Sequence, residues 1–212
     1  MKECMIKNII FELGNVIVQN PTPDIVKKFF KNEKDAITFS NYIFKSEFWK
    51  MMDLGKISNM EIAETIKNQR LVEVEDYNEI EDFMLNWFSK CGINKNTMEI
   101  GKILKKNGYR IYILSNMAKA TFEYFSGQYD FFDIADGAVV SAYEGIKKPD
   151  KELFEILLER YSLVGEECLL IDDDDTNRTL EVANSLGVNG RRVKPNDSSD
   201  VMNLLIENGV KI

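Results

Sequence analysis

Five short apolar runs punctuate the chain: Ile9–Phe11, Tyr109–Leu114, Ala138–Val140, Cys168–Ile171 and Val188–Val193. Each is too short for a helix and rich in branched or aromatic residues, so each is predicted as a strand. The second, fourth and fifth follow stretches whose apolar residues recur at helical spacing. Ile100, Ile103 and Leu104 make one apolar face behind Asn96-Thr97-Met98-Glu99, which reads as a capping box, and Gly108 ends that helix. Asp150 precedes a second face of Phe154, Leu157, Leu158 and Tyr161. Thr179–Leu186 closes on Gly187, and Asp200–Asn208 stops before Gly209. Strands alternating with helices predict an α/β fold built on a parallel sheet.

Residues 21–93 break this rhythm. They contain no convincing strand. Ile25, Val26, Phe29 and Phe30 mark one helix, and Ile62, Ala63 and Ile66 another, the latter preceded by the capping box Ser58-Asn59-Met60-Glu61. So long a helical insertion is not a simple crossover. It predicts a helical subdomain at 21–93 inserted into a core made of 1–20 and 94–212.

Composition narrows the chemistry. The chain has 212 residues, is 44% hydrophobic and 29% charged, and carries a formal net charge of −8. Its basic residues are scattered pairs, such as Lys27-Lys28 and Lys105-Lys106, so no nucleic-acid partner is expected. No apolar window approaches a spanning helix, and no membrane association is expected. Cys4, Cys91 and Cys168 are far apart and odd in number, which fits a reducing cytoplasm. There is no histidine. That excludes Ser-His-Asp and Cys-His catalysis, His-ligated zinc and imidazole acid–base chemistry. Carboxylates, lysines, hydroxyls and hard metals are left.

Ligands of an open parallel sheet bind outside the carboxyl ends of its strands. Glu12, Gly14 and Asn15 follow the first strand, and Ser115-Asn116 the second. Lys147-Lys148-Pro149 follow the third and Asp172 to Asp175 the fourth. Taken singly, each has an ordinary explanation: a solvated strand end, a turn, an exposed lysine, an acidic loop. Together they offer carboxylates for a hard cation, a hydroxyl and an amide for oxyanions, and a lysine to balance charge. That is the chemistry of a metal-bound phosphate.

The segments IIFELGNVIV, IYILSNM, GIKKP and ECLLIDDDDTN, in this order, resemble the four motifs of the haloacid dehalogenase superfamily. The match is to its branch beginning FDLGNV, and EFWKMMDLGKISNMEIAETI is similar to the helical cap of bacterial sugar-phosphate phosphatases. The resemblance implies a Rossmann-like sheet with an inserted helical cap, and Mg²⁺-dependent hydrolysis of a small phosphorylated metabolite. It implies that Glu12, the Gly14 carbonyl, Asp172 and Asp173 hold Mg²⁺, with Asn177 completing the acidic pattern. It further implies that Ser115 and the Asn116 backbone bind phosphoryl oxygens and that Lys148 neutralises charge, so that Glu12, Ser115 and Lys148 are the catalytic set. Counting from the strand puts Asp172-Asp173 in the motif, whereas counting back from the next helix favours Asp174-Asp175. The strand count is preferred, because the strand end fixes the carboxylates.

Two departures matter. The nucleophile of this family is Asp, and this chain has Glu12. The extra methylene moves the carboxylate by about 1.5 Å. A misplacement of ~1 Å can lower a rate by ~10²-fold, or ~2.7 kcal/mol. Gly14 also stands where many members carry an acidic proton donor, though the FDLGNV branch shares the glycine. Two functions therefore stand open: a phosphatase impaired by Glu12, or a catalytically silent relative that binds a metal and a phosphorylated ligand or a protein partner. Metal-free dehalogenase chemistry fits the acidic cluster less well.

Overall fold

The computed structural model describes residues 5–174, 176 and 178–212. Its centre is a five-stranded parallel sheet of β1 (Asn8–Phe11), β2 (Arg110–Ser115), β3 (Gly137–Val140), β4 (Cys168–Asp172) and β5 (Asn189–Arg192), in the order β3-β2-β1-β4-β5. All five lie where the apolar runs predict them, within a residue or two at each end. The alternation of side chains sets the two layers. Ile9, Phe11, Ile111, Ile113, Leu169 and Ile171 face one cluster, and Ile10, Tyr112, Leu114 and Leu170 the other.

On the first face pack α6 (Lys95–Lys106), α7 (Lys119–Gln128) and α11 (Ser198–Glu207), through Leu104, Phe125 and Leu205. On the second pack α9 (Lys151–Arg160) and α10 (Arg178–Ser185), through Phe154, Leu157 and Ala183. The single turn α8 (Ser141–Glu144) follows β3. Each fully buried aromatic or aliphatic side chain contributes about 1.5–3 kcal/mol of transfer free energy.

Two local expectations are corrected. The helix α6 starts earlier than its apparent capping box, because the Asn94 side chain accepts from the Thr97 N–H at 3.2 Å and so caps it instead. Ile103 is exposed rather than part of the buried face.

Between β1 and α6 the chain forms α1 (Pro23–Lys27), α2 (Glu33–Ile43), α3 (Glu47–Asp53), α4 (Asn59–Gln69) and α5 (Tyr77–Asn86). These surround a separate cluster centred on Phe39, Ile62, Ile66, Ile80 and Phe83. The Ser58–Glu61 capping box that opens α4 is complete in both directions. The chain leaves and re-enters the sheet layer side by side. Asn94 N–H donates to the Ile17 carbonyl at 2.8 Å and Gln19 N–H to the Gly92 carbonyl at 2.9 Å.

Candidate active site

Glu12 leaves the central strand β1, flanked by β2 and β4, so the ends of those two strands supply its neighbours. The strand order reverses between β1 and β4, the crevice where open α/β sheets bind ligands. Ser115 ends β2 and Asp172 ends β4. Lys148 reaches the same point from beyond β3. A pocket of about 330 Å³ opens there, lined by Glu12, Gly14, Asn116, Lys148, Asp172 and Asp173 among others.

The charges interlock. Lys148 Nζ donates to Glu12 Oε2 and, at 2.5 Å, to Asp172 Oδ2, and all three side chains are buried. The other oxygen of Glu12 accepts from Ser115 Oγ at 2.7 Å and from the Gly14 N–H at 3.0 Å. Burial raises the pKa of Glu12; Lys148 opposes that shift and Asp172 adds to it. Burial by itself would lower the Lys148 pKa, but the carboxylates of Asp172 and Glu12 hold it raised, so the ammonium stays charged.

The Asn116 side chain has a job not visible in the sequence. Its Oδ1 accepts from the Lys148 N–H at 2.8 Å and its Nδ2 donates to the Lys148 carbonyl at 2.9 Å, which fixes the lysine backbone from both sides. Asn15 is equally specific. It adopts φ 54°, a left-handed conformation that Asn tolerates better than most residues, and its Nδ2 donates to Asp173 Oδ2 at 2.9 Å. Burial raises the Asp173 pKa, Asn15 opposes this, and the Asp172 charge adds to it.

Asp174 does different work. Its carboxylate accepts from the backbone N–H of Thr176 at 2.9 Å and of Thr179 at 2.7 Å, so it serves the entry into α10. Asp175 and Asn177 lie outside the described residues.

Glu12, Asp172 and Asp173 are hard oxygen donors around one polar pocket, and the Gly14 backbone lines it too. Four acid side chains, Glu12, Asp172, Asp173 and Asp174, line the pocket against Lys148 and Arg178, an excess of two negative charges that suits a divalent cation. Among the described residues no three acid side chains already surround a common point. Lys148 is threaded between two of them.

A parallel sheet whose central strand ends in a carboxylate, met by a hydroxyl, a lysine and further carboxylates from neighbouring strands, is a hydrolase scaffold. The chain belongs to the haloacid dehalogenase-like hydrolases, whose family model matches residues 6–178. It is similar to the D-ribitol-5-phosphate phosphatase of Bacteroides thetaiotaomicron, 28% identical over 86% of this chain and 89% of that one. It is also similar to the sesquiterpene phosphatase AstK of Aspergillus oryzae, 26% identical over 79% of this chain and 80% of that one. Among solved structures, a haloacid dehalogenase family enzyme from Bacteroides thetaiotaomicron superposes with a TM-score of 0.75, at 20% identity over 94% of this chain and 98% of that one. A second structure of that enzyme, holding magnesium and inorganic phosphate, superposes with a TM-score of 0.71 at 22% identity, over 91% of this chain and 96% of that one.

Proposed function

We propose that the protein is a magnesium-dependent phosphatase of small phosphorylated metabolites whose turnover is limited by Glu12. The observation that carries this reading is the meeting of Glu12, Ser115, Lys148 and Asp172 at three adjacent strand ends, joined by direct hydrogen bonds. Phosphoryl transfer asks for little beyond positioning and charge neutralisation, and this set supplies both. Glu12 attacks phosphorus. Ser115 Oγ and the Asn116 backbone hold the transferring oxygens, and Lys148 neutralises charge between phosphate and carboxylates. Glu12, the Gly14 carbonyl, Asp172 and Asp173 hold magnesium, which supplies further positive charge against the phosphoryl oxygens. Residues 21–93 act as a cap that excludes water from the reacting atoms. The D-ribitol-5-phosphate phosphatase relative favours a short hydroxylated phosphoester as substrate.

One observation favours the second reading, a silent phosphate-binding relative. The Glu12 carboxylate itself engages Ser115 Oγ, the Gly14 N–H and Lys148 Nζ, the donors a phosphoryl group would need. Phosphate release from a panel of sugar, polyol and nucleotide monophosphates, with and without Mg²⁺, tests the two. Mg²⁺-dependent release that Glu12→Gln abolishes supports the phosphatase. Thermal stabilisation by Mg²⁺ and inorganic phosphate with no release from any substrate supports the silent relative.

A further inference from the structure

A second cavity, of about 340 Å³, adjoins the first and shares Asn20 and Asn116 with it. Its walls include the rings of Phe44, Trp49 and Trp87. Two polar atoms on residues that line it, Trp87 Nε1 and Thr121 Oγ1, are buried and have no hydrogen-bond partner among the described residues. Buried donors without partners are uncommon, and both stand on residues of this one cavity wall. Asp53, the last residue of α3, is the acid among the lining residues.

Asp53 is fixed rather than loosely presented. Its carbonyl accepts from Ser141 Oγ at 2.5 Å, and that oxygen in turn accepts from the Met117 N–H at 3.1 Å, two residues past Ser115. Gly55, at φ 65°, presses on the carbonyl of Ala142 so closely that a Cβ there would stand 2.1 Å from the oxygen. These contacts tie the end of α3 to the loops that carry the candidate active site. The other carboxylates are engaged elsewhere: Glu12 and Asp172 hold Lys148, and Asp173 accepts from Asn15. Position 14, where a proton donor stands in many relatives, is glycine.

We propose that Asp53 is the general acid of the reaction, giving its proton to the leaving oxygen of a phosphoester whose small, hydroxylated organic part occupies the Phe44–Trp49–Trp87 cavity. The inference rests on the phosphatase reading above. As a Glu12 oxygen bonds to phosphorus, the bond from phosphorus to the ester oxygen breaks. The electron pair stays on that oxygen, which takes the Asp53 proton and departs as an alcohol. Water then attacks phosphorus and gives a proton back to the Asp53 carboxylate. The bond from phosphorus to Glu12 breaks, leaving inorganic phosphate and the free carboxylate. The rings of Phe44, Trp49 and Trp87 cover the apolar face of the alcohol. The protonation state suits the role. Burial raises the Asp53 pKa, Lys147 opposes this and the Glu12 charge adds to it, leaving it at about 7, near the optimum for an acid at neutral pH.

The test compares wild type with the isosteric Asp53→Asn, each also made in a Glu12→Asp background, on an alkyl ester and on p-nitrophenyl phosphate, whose phenolate leaves without a proton. The alkyl ester loses about 10²-fold or more in kcat, and the aryl ester loses at least about ten times less. The alkaline fall of the wild-type rate near pH 7, shaped by Lys147 and Glu12 beside Asp53, disappears in the variant. Asp53→Ser repeats the comparison should the amide fail to fold. Equal losses on both esters with the alkaline limb retained overturn the inference while leaving the phosphatase standing. No release from either ester in the wild type or in Glu12→Asp overturns the phosphatase reading and this inference with it.

Discussion

One methylene separates Glu12 from the aspartate of the FDLGNV motif, and the geometry gives that methylene a consequence. Its carboxylate reaches far enough to be held by Ser115 Oγ, the Gly14 N–H and Lys148 at once. A shorter side chain would draw back and leave those donors to a phosphoryl group. Glu12→Asp is therefore expected to raise the phosphatase rate by ~10²-fold, the scale of a 1 Å correction in a near-attack geometry. Single-turnover phosphate release from the best substrate of the wild type measures this directly. A rate unchanged by Glu12→Asp, with phosphate binding also unchanged, would show that the reach of Glu12 is not what limits the site.

At the scale of elements, the acidic run after β4 shows how adjacent identical residues divide their tasks. Asp172 ends the strand and holds Lys148, Asp173 meets Asn15, and Asp174 accepts from the N–H of Thr176 before α10 and of Thr179 in its first turn. Asp174 lines the pocket as well, but its hydrogen bonds go to the entry of α10. Some desolvation raises the Asp174 pKa, but hydrogen bonds from Thr176 and Thr179 outweigh it and lower it to about 2. A carboxyl with a depressed folded pKa stabilises the protein above its ordinary value of 3.8, and that stabilisation is lost as the pH falls through about 2. Asp174→Ala should thus cost about 1 kcal/mol at neutral pH, a typical value for losing such a cap. Urea denaturation at neutral pH should resolve the difference from wild type, and the two proteins should converge in acid.

At the scale of the molecule, Gly55 is a place where the helical segment meets the elements around the sheet. Its positive φ and its closeness to the Ala142 carbonyl leave no room for a side chain. Gly55→Ala must either move α3 away from the sheet domain or hold a strained backbone, at a cost of about 1–3 kcal/mol. Either way Asp53 and the aromatic cavity shift relative to Ser115. Lower thermal stability together with a raised KM and a reduced kcat is the expected outcome. A variant with wild-type melting and kinetics would show that this contact does not position the cavity.

The sequence by itself determined the strands, some of the helix ends and the candidate residues of the pocket. Those features are local. A buried strand such as Ile9–Phe11 declares itself by its apolar run, a cap such as Ser58–Glu61 by two residues three apart, and a strand-end carboxylate by its position alone. Only the tertiary structure decided what required two distant segments to meet. The clamp of Asn116 on Lys148, the bond from Asn15 to Asp173 and the place of Asp53 on the cavity join residues up to about 160 positions apart. Asp53 in MMDLGKIS looks like an ordinary helix end, and the glycine two residues on is its faint signal. Its raised pKa comes from burial and from the Glu12 charge, against the opposing charge of Lys147, and no local pattern connects it to either group. Propensity and periodicity are properties of a short window, whereas proton affinity and ligand shape belong to the assembled surroundings.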